Sequence, residues 1–102
     1  MIFELGDGRL IEHPSWEEIL DNLKEVGSPD AHVAVLSQTE LSYIQTQGND
    51  KDGFEIEYQE ENESNHWVTI DRNLPRSRVI EVFQSYFEDK EDWKNWFSWR
   101  RG

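Results

Sequence analysis

The 102-residue chain is acidic and rich in aromatic side chains. Its length fits one domain, residues 1–102, large enough for a single core without disulfide or metal support. Five Trp, three Tyr and five Phe residues argue against disorder, because disordered chains are poor in such side chains. The absence of cysteine excludes disulfides, thiolate metal sites and a cysteine nucleophile.

The net charge and hydropathy restrict the partners and location of the protein. A formal charge of −12 disfavours direct contact with nucleic acid or an anionic membrane and favours a basic protein partner. No apolar run approaches the roughly 20 residues that span a bilayer. The opening MIFELGDGRLIE lacks the basic and apolar blocks of a secretory signal. We therefore expect a cytoplasmic protein.

The acidic residues are concentrated in the first two-thirds of the chain. Residues 1–71 hold 17 acidic and 3 basic side chains, whereas residues 72–102 hold 5 acidic and 7 basic ones. The acidic density is highest over residues 55–63. The charge that attracts a basic partner therefore belongs to the N-terminal part of the chain.

The first predicted elements are a β-hairpin and a helix. Residues 2–5 and 9–11 are short extended runs that flank a Gly-Asp-Gly turn. In the following HPSWEEILDNLKEVG, Ser15 and Glu18 have the spacing of a helix capping box. The apolar stripe of this helix and the glycine that ends it are Trp16, Ile19, Leu20, Leu23, Val26 and Gly27.

Four strands with short polar connections are predicted next. They cover residues 32–37, 41–46, 54–59 and 66–70, with a polar loop at 48–53 and a turn at 60–65. Apolar and polar side chains alternate in the third of them, which is typical of a half-buried strand. The residues expected to face the helices are Phe54, Ile56, Tyr58, Val68 and Ile70.

The C-terminal third predicts a second helix and an aromatic tail. Pro75 opens the helix at its first position, and the apolar stripe is Val79, Val82, Phe83, Tyr86 and Phe87. Arg76 and Arg78 oppose the helix dipole, so we expect them to pair with the acidic strand region. The aromatic residues at 93–99 indicate a short helical turn that leads into an edge strand. These side chains either pack internally or form a dimer contact.

These elements together predict an α+β fold. We expect an antiparallel sheet of about four to six strands, arranged as a meander and packed on one face by two helices.

The sequence shows no pattern that supports a catalytic, metal or cofactor site. The histidines are scattered and have no metal-ligand spacing; they are His13, His32 and His66. Asp50 and Asp52 lack the further ligands of a calcium loop. Glu55 and Glu57 project from one strand face, but a glycosidase also needs a sheltered cleft that raises one carboxyl pKa. We therefore expect a protein that is not an enzyme and holds no cofactor.

A partner-binding surface is expected on the sheet face opposite the helices. Carboxylates beside exposed aromatics suit a protein interface, where aromatics anchor and charges steer association. The candidate residues are Tyr43, Asp50, Asp52, Glu55, Glu57, Gln59, Glu61, Trp67 and Thr69. In the alternative interpretation, the C-terminal aromatics cover Trp67 and the acidic residues only aid solubility.

The pattern resembles the small α+β immunity proteins of bacterial polymorphic toxin and contact-dependent inhibition systems. The resemblance rests on HPSWEEILDNLKEVG, GFEIEYQE and NLPRSRVIEVFQSYFEDKEDWKNWFSW, which together span most of the chain. The matching positions are Pro14-Ser15-Trp16-Glu17, Gly53-Phe54, Leu74-Pro75 and Trp99. Residues 30–47 and the tryptophan-rich C-terminus depart from the pattern.

The resemblance implies an inhibitor that binds a cognate toxin domain in the cytosol and masks its active site or an essential surface. A toxin that attacks nucleic acid is basic around its active site, which suits an acidic inhibitor. We expect a monomer or weak dimer. A small regulatory or assembly subunit that docks a basic housekeeping protein is the alternative, and an enzyme acting through carboxylates or histidine is a third hypothesis.

Overall fold

The architecture is a seven-stranded antiparallel sheet with two helices packed on one face. The computed structural model describes residues 1–102. The elements are β1 (Ile2–Leu5), β2 (Leu10–Glu12), α1 (Trp16–Leu23), β3 (Val33–Ser37), β4 (Tyr43–Asn49), β5 (Gly53–Glu60), β6 (Asn62–Thr69), α2 (Arg76–Phe87), a 3₁₀ turn (Asp92–Asn95) and β7 (Trp99–Arg101). The strand order β2-β1-β3-β4-β5-β6-β7 confirms the predicted α+β meander, with more strands than the four to six expected. None of the helices is long and apolar enough to cross a membrane.

Local chemistry forms the N-terminal hairpin and α1 as predicted. Strand β1 pairs antiparallel with β2 on one side and with β3 on the other. At the start of α1, the Ser15 hydroxyl accepts from the Glu18 amide at 3.2 Å. The Glu18 carboxylate accepts in return from the Ser15 amide at 2.9 Å, which completes the capping box. The helix itself ends at Leu23, earlier than the apolar stripe suggested.

Two glycines make the connection between β4 and β5 tight. A Cβ on Gly48 would lie 2.2 Å from the carbonyl oxygen of Gly53, and one on Gly53 would lie 2.4 Å from the Cα of Asn73. Both glycines have positive φ, which larger residues adopt at a cost. The close approach places the turn at residues 50–52 next to the segment that leads into α2.

The core lies between the helices and the inward face of the sheet. Alternate residues of β1, β3, β4 and β5 are buried there, as the period of two requires. The largest side chains that are almost fully buried include Trp93, Phe3, Phe54, Phe83 and Ile19. The predicted inward positions Phe54, Ile56 and Tyr58 are confirmed.

Strand β6 differs from the prediction in length. The chain reverses at Glu61, whose φ is 66°, and the strand begins at Asn62 instead of residue 66. A bulge between Gln59 and Glu60 accompanies this reversal. The register after the bulge places Tyr58 opposite Trp67, so those two side chains share a face.

The same register shows that the predicted phase of β6 is wrong. Trp67 and Thr69 face the helices, whereas Val68 and Ile70 point to the other side. The hydroxyl of Thr69 is satisfied on the helix side, because it accepts a hydrogen bond from the Ile56 amide at 3.1 Å. Hydrophobicity alone favoured Val68 and Ile70 as inward residues, but cross-strand register decided the phase.

The C-terminal aromatic tail packs internally. A 3₁₀ turn leads into the edge strand β7, as the sequence indicated. The Trp93 ring is 1% exposed and meets the rings of Tyr58, Trp99 and Tyr86 edge-on, with centroids 4.8, 5.9 and 6.0 Å away. Among the tryptophans of this tail, Trp96 has a ring that is substantially exposed.

The two arginines at the start of α2 have different partners. Pro75 is the N-cap residue and the helix begins at Arg76, one residue later than predicted. Arg76 binds the Asp50 carboxylate at 2.9 Å and the Leu23 carbonyl, and its guanidinium lies 5.0 Å from the Phe54 ring centroid. Arg76 therefore pairs with an acidic residue of the β4–β5 turn and not with the acidic strands themselves.

Arg78 does not reach the acidic strands. Its guanidinium lies 3.3 Å from the Glu81 carboxylate within α2, and over the rings of Trp96 and Phe97 at 5.4 and 5.0 Å. The predicted pairing is thus wrong for Arg78, because its position on the helix directs it to the aromatic tail.

Candidate partner-binding face

The sheet face opposite the helices, here called the open face, carries the acidic and amide side chains of the central strands. Cross-strand pairs place its residues in rows across the sheet. Its members on β1 and β3 to β7 are Ile2, Glu4, Val33, Val35, Ser37, Tyr43, Gln45, Gln47, Glu55, Glu57, Gln59, His66, Val68 and Arg100. The open face is therefore a mixed polar surface with scattered aliphatic and aromatic groups.

A hydrogen-bonded row crosses the centre of the open face. Gln45 donates its amide to Glu57 Oε1 at 2.9 Å, and Glu57 Oε2 lies 2.8 Å from His66 Nε2. The Glu57 side chain is only 19% exposed. Neighbours on both adjacent strands thus hold this carboxylate in one orientation.

A second row lies towards the β3–β4 turn. Tyr43 is opposite Gln59, and its ring centroid lies 6.5 Å from that of His66. Burial, and then the nearby Glu57 carboxylate, raise the pKa of the Tyr43 hydroxyl above its usual value. Gln59 is almost fully buried and donates its amide to the Leu41 carbonyl at 3.1 Å. Tyr43 therefore stays neutral and presents a fixed aromatic edge beside the carboxylate row.

The structure brings together four of the candidate residues derived from the sequence. Tyr43, Glu55, Glu57 and Gln59 share the open face on the neighbouring strands β4 and β5. Glu55 lies 3.6 Å from the exposed guanidinium of Arg72. These four residues are the part of the predicted surface that can act as a unit.

The turn residues of the predicted set lie at the two ends of the sheet. Asp50 pairs with Arg76, whose hydrogen bonds hold the pKa of that carboxyl below its usual value. The Asp52 carboxylate accepts a hydrogen bond from the Asn49 side-chain amide, and the Asp52 backbone amide donates to the Asn49 side-chain oxygen. Glu61 lies at the β5–β6 turn, where its backbone amide donates to the Ser42 hydroxyl at 3.0 Å.

Two candidate residues lie on the wrong face for this surface. Thr69 is fully buried on the helix side. Trp67 is half-buried there, with the Arg101 guanidinium 5.0 Å from its ring and its Nε1 donating to Asn65 at 2.8 Å. The prediction that Trp67 and Thr69 share a face with Glu55 and Glu57 is therefore wrong, because the phase of β6 is reversed.

Sequence reasoning missed several members of the open face. Gln45 and His66 belong to the central row, and Glu4 and Val35 extend it towards β1. The alternation that identified β5 also runs through β3, where Val33 and Val35 are half-buried between buried Ala34 and Leu36. The alternation along β3 is visible in the sequence, but the residues that lie opposite each position on the neighbouring strands are not.

The open face carries hydrogen-bonding groups in fixed positions. Its centre offers oriented carboxylates, amides and a phenol, which accept and donate hydrogen bonds from fixed positions. No group of three or more His, Asp or Glu side chains lies together so as to hold a metal ion. No protein-family model, curated protein or solved structure matches the chain.

Proposed function

We propose that this protein is an immunity protein that binds a cognate bacterial toxin domain and neutralises it. The toxin is a basic nuclease or a similar enzyme, and the acidic open face masks its active site or an essential surface. The complex forms in the cytoplasm. This proposal combines the resemblance in sequence pattern with the geometry of the sheet.

The observation that carries the proposal is the asymmetry of the sheet. Both helices contribute to the core on the inward face, whereas the alternate positions of β5 that hold Glu55 and Glu57 are only half-buried. An open sheet face of this kind offers a broad and nearly flat surface to a protein partner. Glu4 and Glu12 on β1 and β2 add negative charge at its edge.

The central carboxylate is already oriented before a partner arrives. Glu57 is held by Gln45 and His66, so binding a cation there costs less side-chain entropy than ordering a free glutamate would. The ring of Tyr43 beside it supplies apolar contact area of the type that anchors interfaces. The surface therefore combines steering charge with a rigid aromatic group.

The proposal is tested by capture of the partner and by inhibition. The full chain is used as bait in lysate of its source cells at low salt, and stoichiometric partners are identified by mass spectrometry. We expect a protein with a basic toxic domain, whose purified activity is lost on addition of one equivalent of this chain. Capture of a housekeeping protein instead would favour the regulatory-subunit alternative.

A matched pair of charge reversals locates the interface. Glu55→Lys reverses a charge on the open face, and Asp21→Lys makes the same charge change at an exposed position of α1. At low salt we expect Glu55→Lys to weaken toxin binding about tenfold or more and Asp21→Lys to have an effect of about twofold. Equal effects of the two variants, or an affinity that is independent of salt, would reject the open face as the binding surface.

A further inference from the structure

A polar cavity lies on the helix side of the sheet, at one of its ends. The β3–β4 turn, the β5–β6 turn and the C-terminal end of α2 enclose a volume of about 180 Å³. Its walls include the aromatic rings of Tyr86 and Trp93 and the side chain of Ser42. Tyr43, the residue after Ser42, lies at the same end of the sheet but on the open face, so the cavity and the open face are on opposite sides of this end.

A buried hydroxyl in this cavity has no hydrogen-bond partner. Tyr86 is 7% exposed, and its phenolic oxygen is unpaired. Burial raises the pKa of this phenol, the nearby Gln38 backbone acts in the opposite direction, and the charges of Glu60 and Asp89, which line the same cavity, raise the pKa further. The hydroxyl therefore stays protonated, and it retains both an acceptor and a donor position for a group that enters the cavity. A buried hydroxyl without a partner is costly, which a bound group would relieve.

The lining carries more negative than positive charge. Four carboxylates and two lysines line the cavity. Lys94 is shared by Glu60 and Glu91, and those carboxylates raise its pKa even though burial acts in the opposite direction. Lys90 pairs with Glu88, which lies outside the lining. Glu61 and Asp89 have no ion-pair partner, so the cavity has capacity for one more cation.

The chemistry of the cavity favours an organic cation over a metal ion. Its acidic side chains do not form a cluster that could hold a metal ion. The Lys94 ammonium already lies 5.6 Å from the Trp93 ring centroid, which shows that this wall accepts a cation. A guanidinium combines several hydrogen-bond donors with a flat face that suits such a wall.

We propose that this cavity receives the guanidinium of an arginine side chain supplied by the bound partner. The guanidinium donates to the Tyr86 oxygen and to the free carboxylates of Glu61 and Asp89. The assignment of the arginine to a partner rests on the proposed function, because a partner that covers the Tyr43 end of the open face reaches the cavity around that end of the sheet. A basic toxin would thus be held by the open face and by one anchoring side chain in this cavity.

The chemistry of the cavity is tested on the free protein with a defined probe. N-acetyl-arginine amide is titrated into the ¹⁵N-labelled full chain, with N-acetyl-citrulline amide as the uncharged isostere. The Trp93 indole N–H is the reporter, because it donates to the carbonyl of Lys90 at the cavity wall. For a probe of about 15 non-hydrogen atoms we expect a Kd of about 1 mM. No saturable shift with the arginine probe, or equal shifts with citrulline, would overturn the proposal.

Two hydroxyl deletions separate binding from folding. Tyr86→Phe removes the unpaired hydroxyl of the cavity, whereas Ser85→Ala removes the other buried unpaired hydroxyl, which does not line it. We expect Tyr86→Phe to raise the Kd of the arginine probe about three- to tenfold and Ser85→Ala to leave that Kd unchanged. If the Tyr86 hydroxyl has no part in binding, the two variants have the same Kd, which rejects the assignment.

The partner complex distinguishes this inference from the proposed function. Tyr86→Phe should weaken the captured complex, and replacing the anchoring arginine of the partner should then add little further loss. If Tyr86→Phe weakens the probe but not the complex, the arginine does not come from the partner and the proposal fails. If Glu55→Lys has no effect while Tyr86→Phe does, the open face is rejected and the cavity assignment stands.

Discussion

The two faces of the sheet use alternate residues of the same strands for opposite purposes. On the inward face of β5, Phe54 and Ile56 are almost fully buried among apolar side chains. On the open face of the same strand, Glu57 is held by hydrogen bonds from its neighbours on β4 and β6. Apolar burial on one face thus supplies the stability that allows the other face to carry charge.

The open face is ordered even though it is polar. Gln59 is nearly as buried as the apolar core residues, and its amide has a backbone partner at Leu41. Hydrogen bonds to such polar groups remove most of the free-energy cost of burying them. The protein therefore presents a preorganised polar surface, in contrast to the mobile charges of an ordinary solvent-exposed face.

The largest effect is expected on the inward face. Trp93→Ala removes a ring that contacts Tyr58, Tyr86 and Trp99, and should lower the free energy of unfolding by about 3–5 kcal/mol. The exposed ring of Trp96 provides the control, for which we expect a loss under about 1 kcal/mol. Urea denaturation followed by circular dichroism measures both, and similar losses would contradict the internal role of Trp93.

A smaller loss is expected where a long-range contact joins the helices to the sheet. Arg76→Gln removes hydrogen bonds to Leu23 and Asp50 and the contact with Phe54, and should cost about 1–3 kcal/mol in the free energy of unfolding. Arg78→Gln is the control, because Arg78 contacts its own helix and the aromatic tail. A loss for Arg78→Gln as large as for Arg76→Gln would show that the tertiary link through Arg76 is unimportant.

Changes on the open face should alter stability less than binding. The half-buried carboxylate of Glu55 makes only one weak ionic contact. Its replacement in Glu55→Lys should therefore change the free energy of unfolding by less than about 1 kcal/mol. Thermal unfolding of the free protein, beside affinity for the captured partner, checks this. A large loss of stability would mean that the open face contributes to folding and would weaken the contrast between the two faces.

The smallest effect is a pH dependence at the β4–β5 turn. Arg76 lowers the pKa of the Asp50 carboxyl in the folded state. The ion pair therefore stabilises the fold at pH values above the ordinary aspartate pKa, and this stabilisation is lost as the pH falls through the lowered pKa. In Arg76→Gln, the Asp50 titration followed by NMR should move up towards its ordinary range. An unchanged midpoint would contradict the ion pair.

The sequence predicted those elements whose determinants are local. The capping box of Ser15 and Glu18 and the alternation along β5 were both confirmed, because neighbours within a few residues produce them. The phase of β6 was predicted wrongly, since Val68 and Ile70 look more suited to a core than Trp67 and Thr69. The bulge and the register with β5 decided it, and neither is visible in a single strand.

The same limit applies to the candidate site. The sequence by itself determined the class of fold, the acidic character of the first two-thirds and the presence of Glu55 and Glu57 on one strand face. Only the tertiary structure decided that Gln45 and His66 flank Glu57 and that Tyr86 lies unpaired in a polar cavity. These contacts join residues distant along the chain, so their geometry depends on strand pairing and packing that no local pattern specifies.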